Sequence, residues 1–119
     1  MATLPAVPHP LPGPLIELVA QRFRVLGEPM RIKLLDRLRE GAATVSELQE
    51  ALGASQQNVS KHLGILHAAG MVARTKDGNH ARYSISDPSV FELCDQVCGS
   101  VRRQVLALEE IVQAGARPA

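Results

Sequence analysis

The sequence contains very few aromatic residues. Its 119 residues include no Trp, one Tyr and two Phe, so aromatic residues make up only 3% of the chain. Proteins that bind single-stranded nucleic acid stack the bases on aromatic side chains, and this chain is therefore not expected to be one of them. Its hydrophobic fraction of 45% indicates a globular core that must be built from Leu, Val, Ile and Ala.

Long apolar runs, catalytic constellations and cysteines are also scarce. No run approaches the roughly 18 residues of a membrane helix, and the N-terminus lacks the basic start and continuous hydrophobic region of a signal peptide. We therefore expect a cytoplasmic protein without membrane attachment, whose two cysteines are thiols. We find no nucleophile with a matching base, no phosphate loop and no paired carboxylates, which argues against an enzyme.

Proline content divides the chain into an arm and a domain. Five prolines fall within residues 1–14, where they remove backbone donors and favour a flexible arm. Helical spacing of apolar residues begins at Leu15. The sequence predicts one domain over residues 15–112 and a flexible tail over residues 113–119.

Three short helices are predicted in the first half of the domain. The first begins at Leu15 and ends at Gly27. Its predicted buried stripe consists of Leu15, Leu18, Val19, Phe23 and Leu26. Pro29 opens the second, at a position where its missing N–H has no cost. The predicted buried face of this helix consists of Ile32, Leu34, Leu35 and Leu38. Thr44 and Glu47 form a capping box that begins the third helix, which ends at Gly53.

A fourth helix follows after a tight turn. Ser55 is a suitable N-cap and Gly70 a suitable C-terminal stop. Within it Val59, Leu63 and Leu66 form a narrow apolar stripe. Most other positions carry amides, hydroxyls or cations, which contact base edges and phosphates when a helix lies in a DNA major groove. A solvated surface would have the same composition, but two short helices joined by a turn that contains Gly form a helix-turn-helix.

The periodicity changes after Gly70. Residues 71–76 and 81–86 are candidate strands around Asp77-Gly78-Asn79-His80, a strong turn signal. Residues 55–83 carry four Lys or Arg against one Asp, a local positive surplus suited to a polyanion. A basic hairpin directly after a recognition helix is a wing, whose cations position a protein on DNA.

Asp87 and Pro88 are predicted to begin the last helix. Apolar or small residues then recur at alternating steps of four and three, which is a heptad seam. The seam consists of Cys94, Cys98, Val101, Val105, Leu108 and Val112. It predicts a two-fold dimer that the apolar side of the first helix joins, and the predicted interface comprises Leu15, Leu18, Val19, Cys94, Cys98, Val101, Val105 and Leu108.

Three stretches together resemble the ArsR/SmtB family of bacterial repressors: residues 26–35, 45–52 and 55–72. The resemblance spans roughly residues 20–110 and implies a mainly α winged helix-turn-helix homodimer with a small β-hairpin. Such a dimer binds double-stranded DNA at an inverted-repeat operator and is released by an inducer, commonly a metal ion or metalloid. The implied DNA contacts are Ser55, Gln56, Gln57, Asn58, Ser60, Lys61 and His62 on the recognition helix, and Arg74, Lys76, His80 and Arg82 on the wing.

The familiar metal sites of that family are absent. Arsenic and cadmium sensors carry Cys-x-Cys at the start of the third helix, where this chain has Thr44-Val45-Ser46. Zinc sensors carry Asp-x-His at the start of the last helix, where this chain has Asp87-Pro88-Ser89. Neither stretch supplies the required ligands.

Cys94 and Cys98 are the alternative site for a signal. Their spacing places both sulfurs on one helix face, suited to As(III), to Zn(II) with further ligands from a partner, or to an oxidant. Alternatively, both pack as small hydrophobic residues in the seam. His9, His62, His67 and His80 offer a further nickel or zinc site if the arm folds back. The sequence also leaves open a repressor without any cofactor whose signal a co-regulatory protein conveys, and a winged-helix module that binds protein instead of DNA.

Overall fold

Four helices and a small antiparallel sheet precede one long C-terminal helix. The computed structural model describes residues 6–116. Its elements are α1 (Gly13–Leu26), α2 (Pro29–Leu38), β1 (Ala43–Thr44), α3 (Val45–Leu52), α4 (Gln56–Ala68), β2 (Val72–Asp77), β3 (His80–Ile85) and α5 (Ser89–Ala116). This is the winged helix-turn-helix fold that the sequence predicted.

The core lies between α2, α3, α4 and the start of the sheet. Its largest fully buried side chains are Leu34, Leu35, Leu48, Val59, Leu63, Leu66, Met71 and Val72. One predicted core residue is wrong: Ile32 is 46% exposed. At 3.6 residues per turn it lies about 200° around α2 from Leu34, so it faces away from the side that Leu34, Leu35 and Leu38 bury.

The predicted caps of α3 and α4 are confirmed. The Thr44 hydroxyl accepts from the Glu47 backbone N–H at 3.2 Å, and the Glu47 carboxylate accepts from the Thr44 N–H at 3.1 Å. The Ser55 hydroxyl accepts from the Asn58 N–H at 3.1 Å. Gly53, with φ of +61°, ends α3 in the left-handed conformation that glycine adopts without strain. These local hydrogen bonds fix the turn between α3 and α4.

The sheet has three strands in the order β1-β3-β2, all antiparallel. β2 and β3 form the predicted hairpin, with each strand shifted by one residue from its predicted bounds, and Asp77 pairs with His80 across the turn. Gly78 has φ of +63°, whereas Asn79 does not have positive φ, which is the pattern of a type II′ hairpin turn. Strand β1 was not predicted, because two residues carry no periodicity; it pairs Ala43 with Tyr83 and Thr44 with Arg82.

The chain divides into two units between Ser86 and Asp87. The second unit contains α5, where the Asp87 carboxylate accepts from the Ser89 backbone N–H at 3.1 Å and from its hydroxyl at 2.5 Å. The helix begins at Ser89, one residue after Pro88. It extends to Ala116, so residues 113–116 of the predicted tail are helical, while residues 117–119 lie outside the described part of the chain. The prediction of one domain over residues 15–112 stays a prediction.

Helix α1 differs from its prediction in two respects. It begins at Gly13, so that two residues assigned to the arm are helical. Residues 1–5 of the arm lie outside the described residues. The stripe expected to be buried is largely exposed, since Leu18 is 69% and Phe23 52% accessible, and only Val25 and Leu26 are buried. Within one chain, α1 therefore presents an apolar surface.

Among residues 6–116, no helix combines the length and the apolar character that crossing a membrane requires.

Candidate nucleic-acid interface

Helix α4 has one buried apolar side and one exposed polar side. Val59, Leu63 and Leu66 are fully buried against the core. On the other side Ser55, Gln56, Gln57, Ser60 and Lys61 are exposed, and Asn58 is half-buried. The exposed groups are amides, hydroxyls and one ammonium, which together can donate to and accept from base edges and phosphates.

Gln57 and Lys61 form the most prominent ridge of this face. They are four residues apart and thus lie above one another on the helix, opposite the side that Val59 and Leu63 bury. Gly64 continues the ridge, and a Cβ atom added there would meet nothing within 4 Å. The missing side chain at Gly64 leaves room for close approach of this part of the helix to a groove.

The hairpin that follows this helix in the chain carries exposed basic side chains. Arg74, Lys76 and His80 are all exposed. Arg74 and Lys76 are two residues apart on β2 and therefore project from the same face of the hairpin. The Ser86 hydroxyl donates to the Gly70 carbonyl at 2.8 Å, and the Ser86 N–H donates to the Met71 carbonyl at 3.1 Å. These bonds attach the base of the hairpin to the end of α4.

Arg82, another predicted wing contact, makes ion pairs within the chain. Its Nε donates to the Asp77 carboxylate at 3.1 Å, and its Nη1 lies 3.5 Å from the Glu47 carboxylate. Hydrogen bonds from the backbone and side chain of Thr44, together with the charge of Arg82, lower the pKa of Glu47. Arg82 thus connects the wing to the capping box of α3.

His62 is not on the exposed face of α4. Its side chain is only 8% accessible, and its Nδ1 lies 3.1 Å from Nη1 of Arg31. The resemblance to the ArsR/SmtB family implied that His62 contacts DNA, but its side chain is buried. The pattern contained the signal, because His62 follows Val59 by three residues and precedes Leu66 by four, which places it on the buried side.

Two residues around His62 were missed by the sequence analysis. Glu28 caps α2, since its carboxylate accepts from the Arg31 backbone N–H at 3.1 Å. Burial by itself would raise the pKa of Glu28, but the hydrogen bond from the Arg31 backbone and the electrostatic effects of the nearby His62 and Arg31 lower it overall. Arg31 also donates from its guanidinium to carbonyls at the end of α1. Glu is not a preferred N-cap, and Arg31 carries no periodic signal.

Both helices of the predicted interface expose apolar side chains. On α1 these are Ile16, Leu18, Val19 and Phe23, and on α5 they are Val97, Val101, Val105, Leu106, Leu108, Ile111 and Val112. Leu15 is half-buried. Val97 and Ile111 widen the predicted seam of α5 on one side, whereas Leu106 lies away from it. Each helix is therefore suited to pack against a second chain.

The two thiols lie on α5, where Cys94 is half-buried and Cys98 is exposed. Within residues 6–116, no three His, Cys, Asp or Glu side chains are grouped closely enough to hold a metal ion. His9, His67 and His80 are exposed, and His62 is buried beside Arg31. The described part of one chain thus does not assemble the four-histidine site that the sequence left open.

Comparison with known proteins identifies the family. A family described as a helix-turn-helix domain matches residues 26–75, which begin at the end of α1 and end within the wing. The chain is 41% identical over 95 residues to the uncharacterised HTH-type transcriptional regulator Rv0081 of Mycobacterium tuberculosis, covering 79% of each protein. It is 37% identical over 86 residues to the HTH-type transcriptional repressor SmtB of the same species, covering 72% of this chain and 64% of SmtB. The chain belongs to the ArsR/SmtB family.

Solved structures of the ArsR/SmtB family agree with this fold. The crystal structure of M. tuberculosis Rv0081 matches with a TM-score of 0.64 at 38% identity, covering 87% of this chain and 99% of that one. The homodimeric winged helix-turn-helix DNA-binding domain of Mb0332 from Mycobacterium bovis matches with a TM-score of 0.65 at 27% identity, covering 92% of both chains. This ArsR/SmtB chain is therefore an HTH-type transcriptional regulator and not an enzyme.

The positions of the familiar ArsR/SmtB metal sites do not fit a metal in this chain. The Thr44 hydroxyl accepts from the backbone of α3, and the Asp87 carboxylate accepts from Ser89 at the start of α5. Neither stretch supplies a thiol or an imidazole. The oxygen atoms at these positions accept hydrogen bonds and stabilise the starts of α3 and α5.

Proposed function

We propose that this regulator is a homodimeric repressor in which two α4 helices bind an inverted-repeat operator. The observation that supports this best is the exposed amide, hydroxyl and cation face of α4 above a fully buried apolar side. In the proposed complex Gln57 and Lys61 read base edges, while short hydroxyls contact phosphates. The proposed contacts on α4 are Ser55, Gln56, Gln57, Asn58, Ser60 and Lys61.

The wings supply affinity in this proposal. Arg74, Lys76 and His80 are exposed on the hairpin, where cations contact phosphates or the adjacent minor groove. Arg82 supports the wing through Asp77 and Glu47 and makes a weaker contact with DNA.

The proposed dimer uses the exposed apolar faces of α1 and α5. Mb0332, a relative of the same fold, is described as homodimeric. A two-fold dimer presents two recognition helices, so its half-sites lie about one turn, or 10 base pairs, apart on the duplex. Such spacing requires that α5 hold the two protomers in a defined geometry.

The proposed signal acts at Cys94 and Cys98. Their half-buried and exposed thiols lie on the seam, where a bound ion or an oxidised sulfur changes the packing between protomers. Ni(II), Zn(II) and As(III) are the candidate ions, and each draws its remaining ligands from the partner chain. The inducer releases DNA only if it binds the DNA-incompetent dimer more tightly than the competent one.

Replacement of two wing cations tests the DNA-binding part of the proposal. The wild-type chain is first used to select duplexes from a random-sequence pool, and an enriched inverted repeat is expected. In the Arg74→Ala/Lys76→Ala variant, affinity should fall to a similar extent for selected and random duplexes, and the slope of log K against log[salt] should decrease by about 2. Fluorescence anisotropy across a salt series measures both quantities.

Lys33→Ala is the matched control for the wing variant, because Lys33 is an exposed cation on α2. It should leave the salt slope within about 0.5 of wild type. Failure of the wild-type chain to enrich any duplex, or a salt slope near zero, would favour the alternative of a winged-helix module that binds another protein.

Replacement of both thiols tests the signal. We expect Ni(II), Zn(II), As(III) or a mild oxidant to weaken binding of the reduced wild-type dimer to its selected duplex by about 10-fold. The Cys94→Ser/Cys98→Ser variant should bind the same duplex with wild-type affinity and lose that response. Retained release in the double variant would place the signal elsewhere, and no release of either protein would favour a co-regulatory partner.

A further inference from the structure

We infer that Arg31 and His62 are positioning residues that hold the recognition helix α4 on the end of α1. This inference rests on the proposed function, since positioning has meaning only if α4 reads DNA. Neither residue is among the proposed DNA contacts. Their role follows from the hydrogen bonds that join three helices at one guanidinium.

The Arg31 guanidinium binds three acceptors on two other helices. Its Nε donates to the Val25 carbonyl at 2.5 Å and its Nη2 to the Arg24 carbonyl at 3.3 Å, both in the last turn of α1. Its Nη1 reaches Nδ1 of His62 on α4 at 3.1 Å. Only the planar, fork-shaped group of arginine reaches all three acceptors from one position, whereas the single ammonium of lysine cannot.

The contact also gives one ring nitrogen of His62 a specific role. A guanidinium only donates hydrogen bonds, so Nδ1 of His62 is the acceptor in this contact. The Glu28 carboxylate is 3.8 Å from Nδ1 and also accepts from the Arg31 backbone N–H. Arg31 and Glu28 are thus the charged groups that face the buried imidazole, and a change at any of the three disturbs the other two.

A second arginine connects α1 to the C-terminal end of α4. Arg22 donates from Nη1 to the Ala69 carbonyl at 2.7 Å, directly after the last residue of α4. Between the two arginine contacts lies a groove of about 530 Å³, lined on the α1 side by Leu18 and Val25 and on the α4 side by Ile65 and Ala68. Because apolar packing does not fill this groove, the polar contacts determine much of the spacing between α1 and α4.

The consequence concerns the coupling of dimer geometry to DNA reading. Helix α1 carries exposed apolar residues of the proposed dimer interface, and α4 carries the reading face. The guanidinium of Arg31 on α2 contacts both helices, because it donates to the last turn of α1 and reaches His62, 31 positions further along the chain. A displacement of α1 at the interface is therefore transmitted to the orientation of α4.

Variants of His62 test the positioning role by keeping, moving or removing the acceptor atom at the position of Nδ1. Asn places an acceptor oxygen near the position of Nδ1, whereas Leu has none and Gln moves its acceptor one carbon further out. We expect His62→Asn to bind the selected duplex within about 2-fold of wild type, and His62→Leu, His62→Gln and Arg31→Lys to bind it about 10-fold more weakly. Binding is measured by anisotropy at a temperature where circular dichroism shows every variant folded.

Two further measurements separate positioning from a loss of stability. Affinity for a random duplex and the salt slope should be unchanged in all four variants, because neither residue contacts phosphate. Hydrogen–deuterium exchange of the α4 amides, measured without DNA, should be about 10-fold faster in Arg31→Lys and His62→Leu but not in His62→Asn.

The outcomes of this experiment are distinct. If the wild-type chain enriches a duplex but Arg31→Lys and His62→Leu bind it like wild type, or if His62→Asn is as weak as His62→Leu, the positioning role is overturned and the proposed function stands. If the wild-type chain enriches no duplex, the proposed function is overturned and the inference with it.

Discussion

The Gln57→Ala/Lys61→Ala variant is expected to bind the selected inverted repeat at least about 30-fold more weakly than wild type, because each of the two base contacts is worth about 1–3 kcal/mol. Both side chains belong to the exposed ridge of α4. Neither contributes to the core, so the midpoint of urea unfolding should change little. Anisotropy titrations with the selected duplex and with a scrambled duplex of equal length measure the loss of specificity.

Lys33→Ala is again the matched control, because it removes one exposed cation from α2 without changing α4. Its affinity should stay within about 2-fold of wild type. Equal weakening by Lys33→Ala and by the double variant would mean that net charge, and not the α4 face, determines binding. Loss of affinity for the scrambled duplex to the same extent would contradict base reading.

Val105→Asp is expected to convert the dimer to monomers and to weaken operator binding by at least about 100-fold, because a monomer loses the effective concentration of its second reading helix. Val105 lies in the middle of the α5 seam and is 48% exposed in one chain. In a two-fold interface each substitution places two carboxylates in apolar surroundings, where an unpaired charge is strongly unfavourable. Analytical ultracentrifugation and anisotropy measure the two effects.

Ala107→Asp introduces the same charge on the opposite side of α5. Because Ala107 is exposed and lies away from the seam, this variant should remain dimeric and bind the selected duplex like wild type. A monomeric wild-type chain that still binds an inverted repeat tightly, or a dimeric Val105→Asp variant, would contradict the proposed interface.

The sequence predicted those parts of the fold that depend on neighbouring residues. The capping box of Thr44 and Glu47 and the N-cap of Ser55 form hydrogen bonds within four residues, and the Gly78 turn closes a hairpin of two adjacent strands. Such features are written into short segments, because the chemistry and the backbone conformation involve the same few residues. The order of helices and strands followed from them.

The sequence predictions failed where a segment was too short to show periodicity or where the pattern did not define which side of a helix is buried within the chain. Strand β1 has two residues, which is too short for alternation to show. Ile32 was assigned to the core because it is apolar and close to Leu34, although the helical angle between them turns it outward. The stripe of α1 was correctly placed on one face, but periodicity does not state whether that face packs within the chain or against another.

The sequence predicted which types of residue form the candidate DNA face, but not which individual residues are exposed on it. The polar residues of α4 and the cations of the wing were identifiable from the sequence, and their exposure now supports the proposal for Gln57, Lys61, Arg74 and Lys76. His62 and Arg82 also carry polar side chains suited to DNA contacts, yet His62 is buried and Arg82 makes ion pairs within the chain.

By itself, the sequence predicted a winged helix-turn-helix with one polar-faced helix and a terminal helix that carries an apolar seam, since caps, turns and periodicity are local properties. The regulator function was implied by the resemblance to the ArsR/SmtB family. Only the tertiary structure decided which polar side chains remain exposed on the reading face and which connect the helices. Arg31 meets His62 across 31 residues and Arg22 meets Ala69 across 47. Contacts over such distances depend on how whole helices pack, and no local pattern specifies which atoms that packing brings together.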